Sequence, residues 1–486
     1  MADITVIRSG RRLSTGELLR LTAALSWPDM SAQLASIIMQ YIDASMVGHL
    51  GADDSAAVGL VSTSLWLFWG ICSAVTVGFS VQVAHSVGAG DYTRARDILR
   101  QSITACLVFA VIFACVGAAI AYPLPHWLGG TATVCPKASV YFLVFVMALP
   151  MLTMNYLGGA MLRCVGNMKV AGGLNVMMCL LDVVFNYLLI FPTRQVDLLG
   201  TSIPIPGAGL GVLGAALGTV AAEIVTAVCM MGYLCLRQPE MTIFRIRGSY
   251  RPRRSVLRKA LKISAPMTLE HAVICGAQIA ITVIVAPLGV MAIAANAFAV
   301  TAESLCYMPG YGIGDAATTL VGQSFGAKRL DLARRFGYIT TAAGMVVMTL
   351  MGVLMYFGAT WMMELMSPVK DIIELGAGAL RIEAFAEPMF AASIVAYGVM
   401  IGVGDTVVPA CLNFGSIWLI RLPLAAWLAP IMGLSGVWIA MAVELTLRGI
   451  FFLWRLISGR WLRGKDSGND SAGVDMKEET HIDYSV

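Results

Sequence analysis

Charged side chains are scarce in this chain of 486 residues. Asp, Glu, Lys and Arg together make up 13% of it, against about 25% in soluble domains. Histidine occurs five times, and the eleven cysteines form neither a Cys-x-x-Cys pair nor a cluster with histidine. This pattern gives no indication of a disulfide framework, a metal site or a catalytic cluster. We therefore expect no enzyme activity, no catalytic residues, no metal and no cofactor.

The chain is instead rich in long apolar runs. Hydrophobic residues make up 58% of the chain, above the roughly 45–50% of soluble domains. Twelve runs reach the roughly 20 residues that a helix needs to cross a bilayer. The sequence therefore predicts an all-α integral protein of the cell membrane. The runs lie near 18–46, 55–82, 101–123, 138–162, 169–192, 212–236, 263–287, 293–320, 336–362, 376–402, 409–430 and 434–457.

The chain contains a long internal duplication. Residues 28–191 recur without a gap 238 positions later, so that Pro28 pairs with Pro266 and Gly88 with Gly326. Six spans separate equivalent residues, so both copies share one orientation and form parallel repeats. Such repeats are typical of secondary transporters, whose binding site lies between two lobes. A 16-residue insertion in the first copy, within TRQVDLLGTSIPIPGAG, is predicted to be a loop from its Pro and Gly.

The duplication divides the chain into four parts. We predict an N-terminal six-helix lobe at 1–236, a basic linker at 237–262, a C-terminal six-helix lobe at 263–457 and a disordered tail at 458–486. The excess of Lys and Arg in alternate loops places both termini and the linker in the cytoplasm. Attraction to anionic membrane lipid explains the basic linker, and no nucleic-acid partner is expected.

The repeated segments resemble the multidrug and toxic compound extrusion (MATE) family. They are PDMSAQLASIIMQYIDASMVGHLG and VAHSVGAGDYTRAR in the first copy, and MPGYGIGDAATTLVGQSFGAKRLDLAR and EPMFAASIVAYGVMIGVGDT in the second. The resemblance covers residues 20–457. It implies a V-shaped pair of six-helix bundles that exports organic cations by alternating access, in exchange for H⁺ or Na⁺. We expect a monomer whose partners are small-molecule organic cations and membrane lipid.

Three polar residues of the N-terminal lobe are candidates for binding the coupling ion. Insertion of a charged side chain near the bilayer centre costs roughly 2.5–3.5 kcal/mol, so each such residue is a candidate for a function. Asp43 matches the acidic position in the family's first helix, and Asp182 and Asn186 lie one turn apart on one face of span five. Family members commonly carry Asn before Asp there, whereas this chain has the reverse order. The equivalent positions of the second copy are Ile281, Ile420 and Leu424.

The two aspartates are expected to exchange a proton rather than sodium. The resemblance implies that the helices carrying them face a common cavity of the N-terminal lobe. Two carboxylates there cannot both ionise cheaply, because burial and mutual repulsion oppose the second charge. A packing role for Asp43 and Asp182, fixed by neighbouring hydroxyl and amide groups, is the structural alternative.

The C-terminal lobe has its own acidic residues. Glu270, Glu303 and Glu387 are candidates for contact with the substrate, and Glu303 is also a candidate for the coupling ion. Glu383 is expected to share a helix face with Glu387, and one of these glutamates is expected to neutralise Arg421.

Other functions compete with proton-driven drug export. Sodium-coupled members of the NorM type place a Glu in span seven and an Asp in span ten, but a gapless match puts those positions on Ile274 and Phe390. A flippase for lipid-linked oligosaccharide would need a cationic cavity for its pyrophosphate, whereas the intramembrane charges here are mainly acidic. A passive channel suits the buried carboxylates less well than alternating access does.

The predicted topology is testable at one position of the linker. Tyr250→Cys, introduced into a cysteine-free variant, should react with a membrane-impermeant thiol reagent only after the cells are opened, because the linker is cytoplasmic. Labelling from outside intact cells would contradict the topology.

Overall fold

The computed structural model of the protein describes residues 4–9, 11–198, 201–243 and 248–462. Within these ranges the chain forms sixteen α-helices, two short 3₁₀ helices at Ile4–Arg8 and Ala286–Leu288, and a π-helical turn at Ile417–Arg421. The helices are α1 Thr15–Gly48, α2 Ala52–Gly88, α3 Tyr92–Ile120, α4 Pro123–Trp127, α5 Cys135–Met147, α6 Leu149–Cys164, α7 Met168–Ile190, α8 Val212–Leu236, α9 Arg254–Val285, α10 Val290–Gly326, α11 Leu330–Glu364, α12 Lys370–Glu383, α13 Glu387–Gly402, α14 Val407–Ser416, α15 Leu422–Met432 and α16 Leu434–Ser458.

The helices account for the predicted membrane spans. In the described part of the chain, nine spans qualify by length and composition, and up to eleven if each of two bent helix pairs is one span. The pairs are α5 with α6, bent by 49°, and α12 with α13, bent by 61°. The first predicted span corresponds to α1, a 34-residue helix that carries four charged residues and is not among those that qualify. The predicted all-α fold of two six-helix repeats is confirmed.

The two bends follow from the duplicated sequence. Pro150 and Pro388 lie in the first turns of α6 and α13 and are equivalent in the two copies. Proline has no N–H to donate to the preceding turn, so it is tolerated where a helix begins and interrupts a helix that would otherwise continue. Spans four and ten are therefore broken at the same place in both lobes.

The insertion of the first copy is a β-hairpin and not the predicted loop. Strands β1, Pro192–Leu198, and β2, Thr201–Ala208, pair antiparallel with Val196 opposite Ile203. Proline favoured the loop prediction because it cannot donate to a strand ladder. Each strand of a two-stranded sheet has a free edge, however, where a missing N–H costs nothing. Pro204, opposite Gln195, is accommodated in this way.

Helix α1 positions the first candidate residue. It begins at a capping box, in which the Ser14 hydroxyl accepts from the Glu17 N–H at 3.3 Å and the Glu17 carboxylate accepts from the Ser14 N–H at 2.8 Å. Pro28 lies inside this continuous helix. A Cβ added at Gly172 of α7 would lie 2.5 Å from the Pro28 carbonyl oxygen, so α1 and α7 pack in backbone contact. Asp43 lies near the C-terminal end of α1.

The segment before α1, which we call the N-terminal strap (residues 4–9 and 11–14), packs against the other lobe. Ile7 and Leu13 are 1% and 3% exposed and contact apolar residues of α10, α11 and α13. The Arg329 guanidinium donates to the carbonyls of Ile7 and Arg11 at 3.1 and 2.9 Å. Arg335 donates to the Leu13 carbonyl at 2.7 Å. The strap thus connects α1 of the first lobe to the inner face of the second.

Two equivalent hydrogen bonds join the lobes. His85 Nε2 of α2 donates to the Gly402 carbonyl at 2.7 Å, and Gln323 Nε2 of α10 donates to the Cys164 carbonyl at 2.6 Å. The two donors are equivalent positions of the two copies, 238 residues apart, and so are the two acceptors. Each lobe therefore makes the same hydrogen bond to the other. His85 thus serves as a hydrogen-bond donor between the lobes.

Backbone contacts at the same level bring the lobes together. A Cβ added at Gly88 would lie 2.1 Å from the Gln323 carbonyl oxygen, and a Cβ added at Gly326 would lie 2.1 Å from that of His85. These glycines end α2 and α10, on the side that the Lys and Arg pattern predicts to be cytoplasmic. The lobes therefore meet at this end, which we call the inner end, and the end of α1 that carries Asp43 lies at the opposite, outer end.

Candidate functional site

The predicted N-terminal site forms as one cluster. Asn186 Nδ2 of α7 donates to Asp43 Oδ1 of α1 at 2.9 Å and to Asp182 Oδ2 at 3.1 Å. It also lies 3.4 Å from the Thr219 hydroxyl oxygen of α8. Asp182 and Asn186 are 0% and 1% exposed, and Asp43 is half-buried. The structure thus brings the three residues together, and the reversed order of Asp and Asn still lets one amide reach both carboxylates.

Acceptors outnumber donors in this cluster. The Asn186 amide and the Thr219 hydroxyl together supply three donor hydrogens, whereas the two carboxylates and the amide carry five acceptor oxygens. The second oxygen of Asp182 and the amide oxygen of Asn186 are buried and have no hydrogen-bond partner among the described residues. Buried acceptors without donors are costly. A proton bound to either carboxylate would reduce this excess of acceptors.

Gly218 fixes the position of the bridging amide. A Cβ added there would lie 2.1 Å from Asn186 Oδ1 and 2.9 Å from its backbone nitrogen. Since real Cβ contacts are rarely shorter than 3.0 Å, any larger residue would displace Asn186. Helix α8 can approach α7 this closely only with glycine at position 218.

The sequence prediction missed a third carboxylate in this lobe. Asn155 Nδ2 of α6 donates to Glu223 Oε2 of α8 at 2.6 Å. Glu223 lies one turn after Thr219, close enough to Asp182 for an electrostatic interaction. The signal was present in the sequence, because Glu223 is a single acid inside the apolar run 212–236 and the cost of burying a charge applies to it as well.

A second missed group lies between the lobes. Arg163, at the end of α6, is 3.6 Å from Asp29 of α1 and 3.6 Å from Asp315 of α10. Asp29 is 1% exposed, so its charge needs the guanidinium. Because Asp315 belongs to the second lobe, this group adds an ionic contact to the inner closure.

The C-terminal lobe buries its candidates in a separate group. Glu303 of α10 and Glu387 of α13 are 5% and 0% exposed, and Glu383 is 0% exposed. All four carboxylate oxygens of Glu383 and Glu387 lack a hydrogen-bond partner among the described residues. The expectation that Glu383 and Glu387 share a helix face is wrong, since α12 ends at Glu383 and α13 begins at Glu387 beyond the 61° bend.

The partner of Arg421 is a residue that the sequence prediction did not consider. Arg421 donates from Nε and Nη2 to Glu444 Oε2 of α16 at 2.9 and 2.6 Å. Arg448, one turn later on α16, lies 3.2 Å from the other Glu444 oxygen. The expectation that one of the other four glutamates neutralises Arg421 is therefore wrong. Glu444, fully buried, forms the ion pair because it faces the π-helical turn directly.

Glu270 differs from the other C-terminal candidates because its carboxylate is satisfied. The Tyr397 hydroxyl donates to Glu270 Oε2 at 2.5 Å, and the Asn413 amide donates to Oε1. Both donors come from other helices, α13 and α14. This arrangement fits a residue that holds three helices together.

Comparison with known proteins agrees with this architecture. A family model described as MatE matches residues 28–188 and again residues 266–427. A probable multidrug resistance protein NorM of Idiomarina loihiensis is 26% identical over 468 residues, which cover 92% of this chain and 96% of that protein. The multidrug resistance protein MdtK of Yersinia pestis is 24% identical over 457 residues, which cover 91% and 95%.

A solved structure has the same fold. It is described as the outward-facing conformation of a multidrug resistance MATE family transporter of the MOP superfamily. The TM-score is 0.83 at 20% identity, over 93% of this chain and all of that one. The family matches coincide with the two copies of the duplication and cover well over half of the sequence. This chain is therefore a multi-pass membrane protein that belongs to the MATE family of transporters.

Proposed function

We propose that this chain is a multidrug efflux antiporter that exports organic cations in exchange for protons. Similarity to proteins named NorM and MdtK supports multidrug efflux as the general activity. The observation that carries the coupling proposal is the excess of buried acceptors at Asp43, Asp182 and Asn186. A proton supplies the missing donor and removes one of two adjacent charges.

Electrostatics favours a single shared proton over two ionised carboxylates. Because one amide nitrogen contacts both groups, the contacting oxygens of Asp43 and Asp182 lie within about 6 Å of each other. At that separation two unit charges repel by roughly 3 kcal/mol for an effective dielectric constant of 20. That energy corresponds to about a hundredfold change in the affinity for a proton. The pair can therefore switch between a protonated and an ionised state.

The orientation of Asn186 favours a proton over sodium. Its N–H groups face the space between the two carboxylates, and its oxygen faces Gly218. A sodium ion placed between the carboxylates would meet these N–H donors instead of the oxygens that hard cations need. A proton bound to either carboxylate would meet no such conflict.

Coupling between the proton site of one lobe and the substrate site of the other provides the exchange. Asp43 lies near the outer end of α1, while the inner ends of the lobes are joined by the His85 and Gln323 contacts. A proton loaded there neutralises one of the two adjacent carboxylates, and α1 can repack near Pro28 in response. Each state then has a different affinity for each ligand, as exchange requires.

The C-terminal group supports a cationic substrate. Glu270, Glu303, Glu383, Glu387 and Glu444 supply five carboxylates against the two guanidiniums of Arg421 and Arg448. Glu303 and Glu387 are the residues that we assign to the substrate, since Glu270 and Glu444 already have partners. The same excess of negative charge disfavours a flippase for pyrophosphate-linked lipid.

Asp43→Asn tests the coupling site. The substitution removes the ionisable group but keeps its shape, so the variant should fold and bind the drug. Efflux driven by a pH gradient should be lost in proteoliposomes. Asp53→Asn, at the exposed start of α2, is the matched control and should transport normally. Normal proton-driven export by Asp43→Asn would mean that coupling lies elsewhere.

Gly218→Ala tests the bridging amide without changing any polar group. The added methyl should move Asn186 by about 1 Å and slow proton-driven efflux by up to about a hundredfold. The control is Gly232→Ala in the same helix, where an added Cβ meets nothing within 4 Å. Equal efflux rates for both variants would show that the position of Asn186 is unimportant.

Glu387→Gln and Glu303→Gln test the substrate group. Because a buried carboxylate attracts a cation strongly, export of cationic dyes should fall by roughly tenfold or more, and export of neutral substrates should fall less. Glu374→Gln on the exposed face of α12 should change neither. An equal loss for both classes of substrate would assign these glutamates to packing.

A further inference from the structure

The cytoplasmic face carries a cleft at the junction of the lobes that the transport mechanism does not use. Its volume is about 270 Å³. The lining comes from the strap, from the end of α2 and from the end of α10 with the residues that follow it. These residues are Arg8, Gly88, Ala89, Gly326, Ala327, Lys328 and Arg329.

We propose that this cleft binds a phosphate group, and that bound phosphate holds the inner ends of the lobes together. The group can come from the headgroup of an anionic lipid or from a soluble phosphate. This site is independent of the exported compound and of the coupling ion.

The balance of charge in the cleft favours an anion. Three of the seven lining residues are cationic, and none is acidic. The C-terminal ends of α2 and α10 also face the cleft, and each contributes the equivalent of roughly half a negative charge. Arg329 also lies 4.0 Å from the carboxylate of Asp331. After this pair and the two helix ends are counted, a positive charge of about one remains. The guanidinium of Arg8 and the ammonium of Lys328 are suited to phosphate oxygens.

The backbone at Lys328 provides independent support. Its φ is 57°, which makes it the one residue other than glycine with positive φ in the described ranges. The equivalent residue of the first copy is Gly90, with φ 77°. A side chain is disfavoured in this conformation, and glycine is the usual solution. The second copy keeps a lysine despite this strain, and its side chain lines the cleft.

The position of the cleft connects phosphate binding to the conformation. Gly88 and Gly326 line the cleft and also form the close backbone contacts between the lobes. Arg8 is held over the ring of Tyr92 of α3 at 5.2 Å, and Arg329 is held by the carbonyls of the strap. The cleft therefore draws on both lobes and on the strap. Separation of the inner ends would dismantle it, so a ligand bound there must favour the closed inner side.

The test uses the full-length protein in nanodiscs. One arm adds inorganic phosphate to phosphatidylcholine nanodiscs, and the other replaces part of the phosphatidylcholine with phosphatidylglycerol. The readouts are the midpoint of thermal unfolding and the distance between spin labels at positions 93 and 334 on the inner ends of the two lobes. The variants are Lys328→Gly, which suits the backbone, and Arg8→Gln. Lys169→Gln, an exposed lysine outside the cleft, is the control.

We expect at least one source of phosphate to raise the midpoint and narrow the label distance in the wild type and in Lys169→Gln. Both cleft variants should need at least fivefold more ligand to reach the same shift in midpoint and label distance. If Lys328→Gly does not fold, Arg8→Gln alone tests the proposal. A response to phosphatidylglycerol only would identify a lipid headgroup, and a response to inorganic phosphate only would identify a soluble ligand. No response in either arm, an equal response in all four proteins or an unchanged label distance would overturn the proposal.

Discussion

The N-terminal lobe depends on one constraint, which is that two carboxylates share one amide in a buried site. Asn186 donates N–H groups to Asp43 and Asp182 and lies beside the Thr219 hydroxyl, and two buried oxygens of the cluster have no hydrogen-bond partner among the described residues. Helix α8 must carry glycine at position 218 for the amide to fit. The three helices α1, α7 and α8 are thus positioned around a group of acceptors that, under our proposal, binds a proton.

The duplication gives the two lobes the same helical architecture, but the two copies differ in the polar residues at their candidate sites. The inner ends are joined by equivalent bonds from His85 and Gln323, and spans four and ten bend at equivalent prolines. The positions equivalent to the N-terminal cluster are instead isoleucine and leucine, of which Ile281 and Leu424 pack with apolar residues of the second lobe. The two lobes can therefore move as equivalent bodies while they bind different ligands, a proton in one and a cationic substrate in the other under our proposal.

The sequence predicted the fold because bilayer crossing and duplication leave strong, regular signals. It also predicted the Asp43, Asp182 and Asn186 cluster, since each buried polar residue is conspicuous in an apolar run. It could not predict that Arg421 pairs with Glu444, because the choice among five glutamates depends on helix packing. The β-hairpin and the packing of Ile7 against the second lobe could not be predicted either, because both depend on contacts that local composition does not encode.

The most direct test of the coupling claim is dye efflux from proteoliposomes that contain the wild-type protein, with pH and sodium gradients imposed separately. The N-terminal cluster is completed by a proton in this account, and the N–H groups of Asn186 face the space that sodium would need. A pH gradient alone should therefore drive export, and a sodium gradient at uniform pH should not. Export driven by sodium alone would contradict the account.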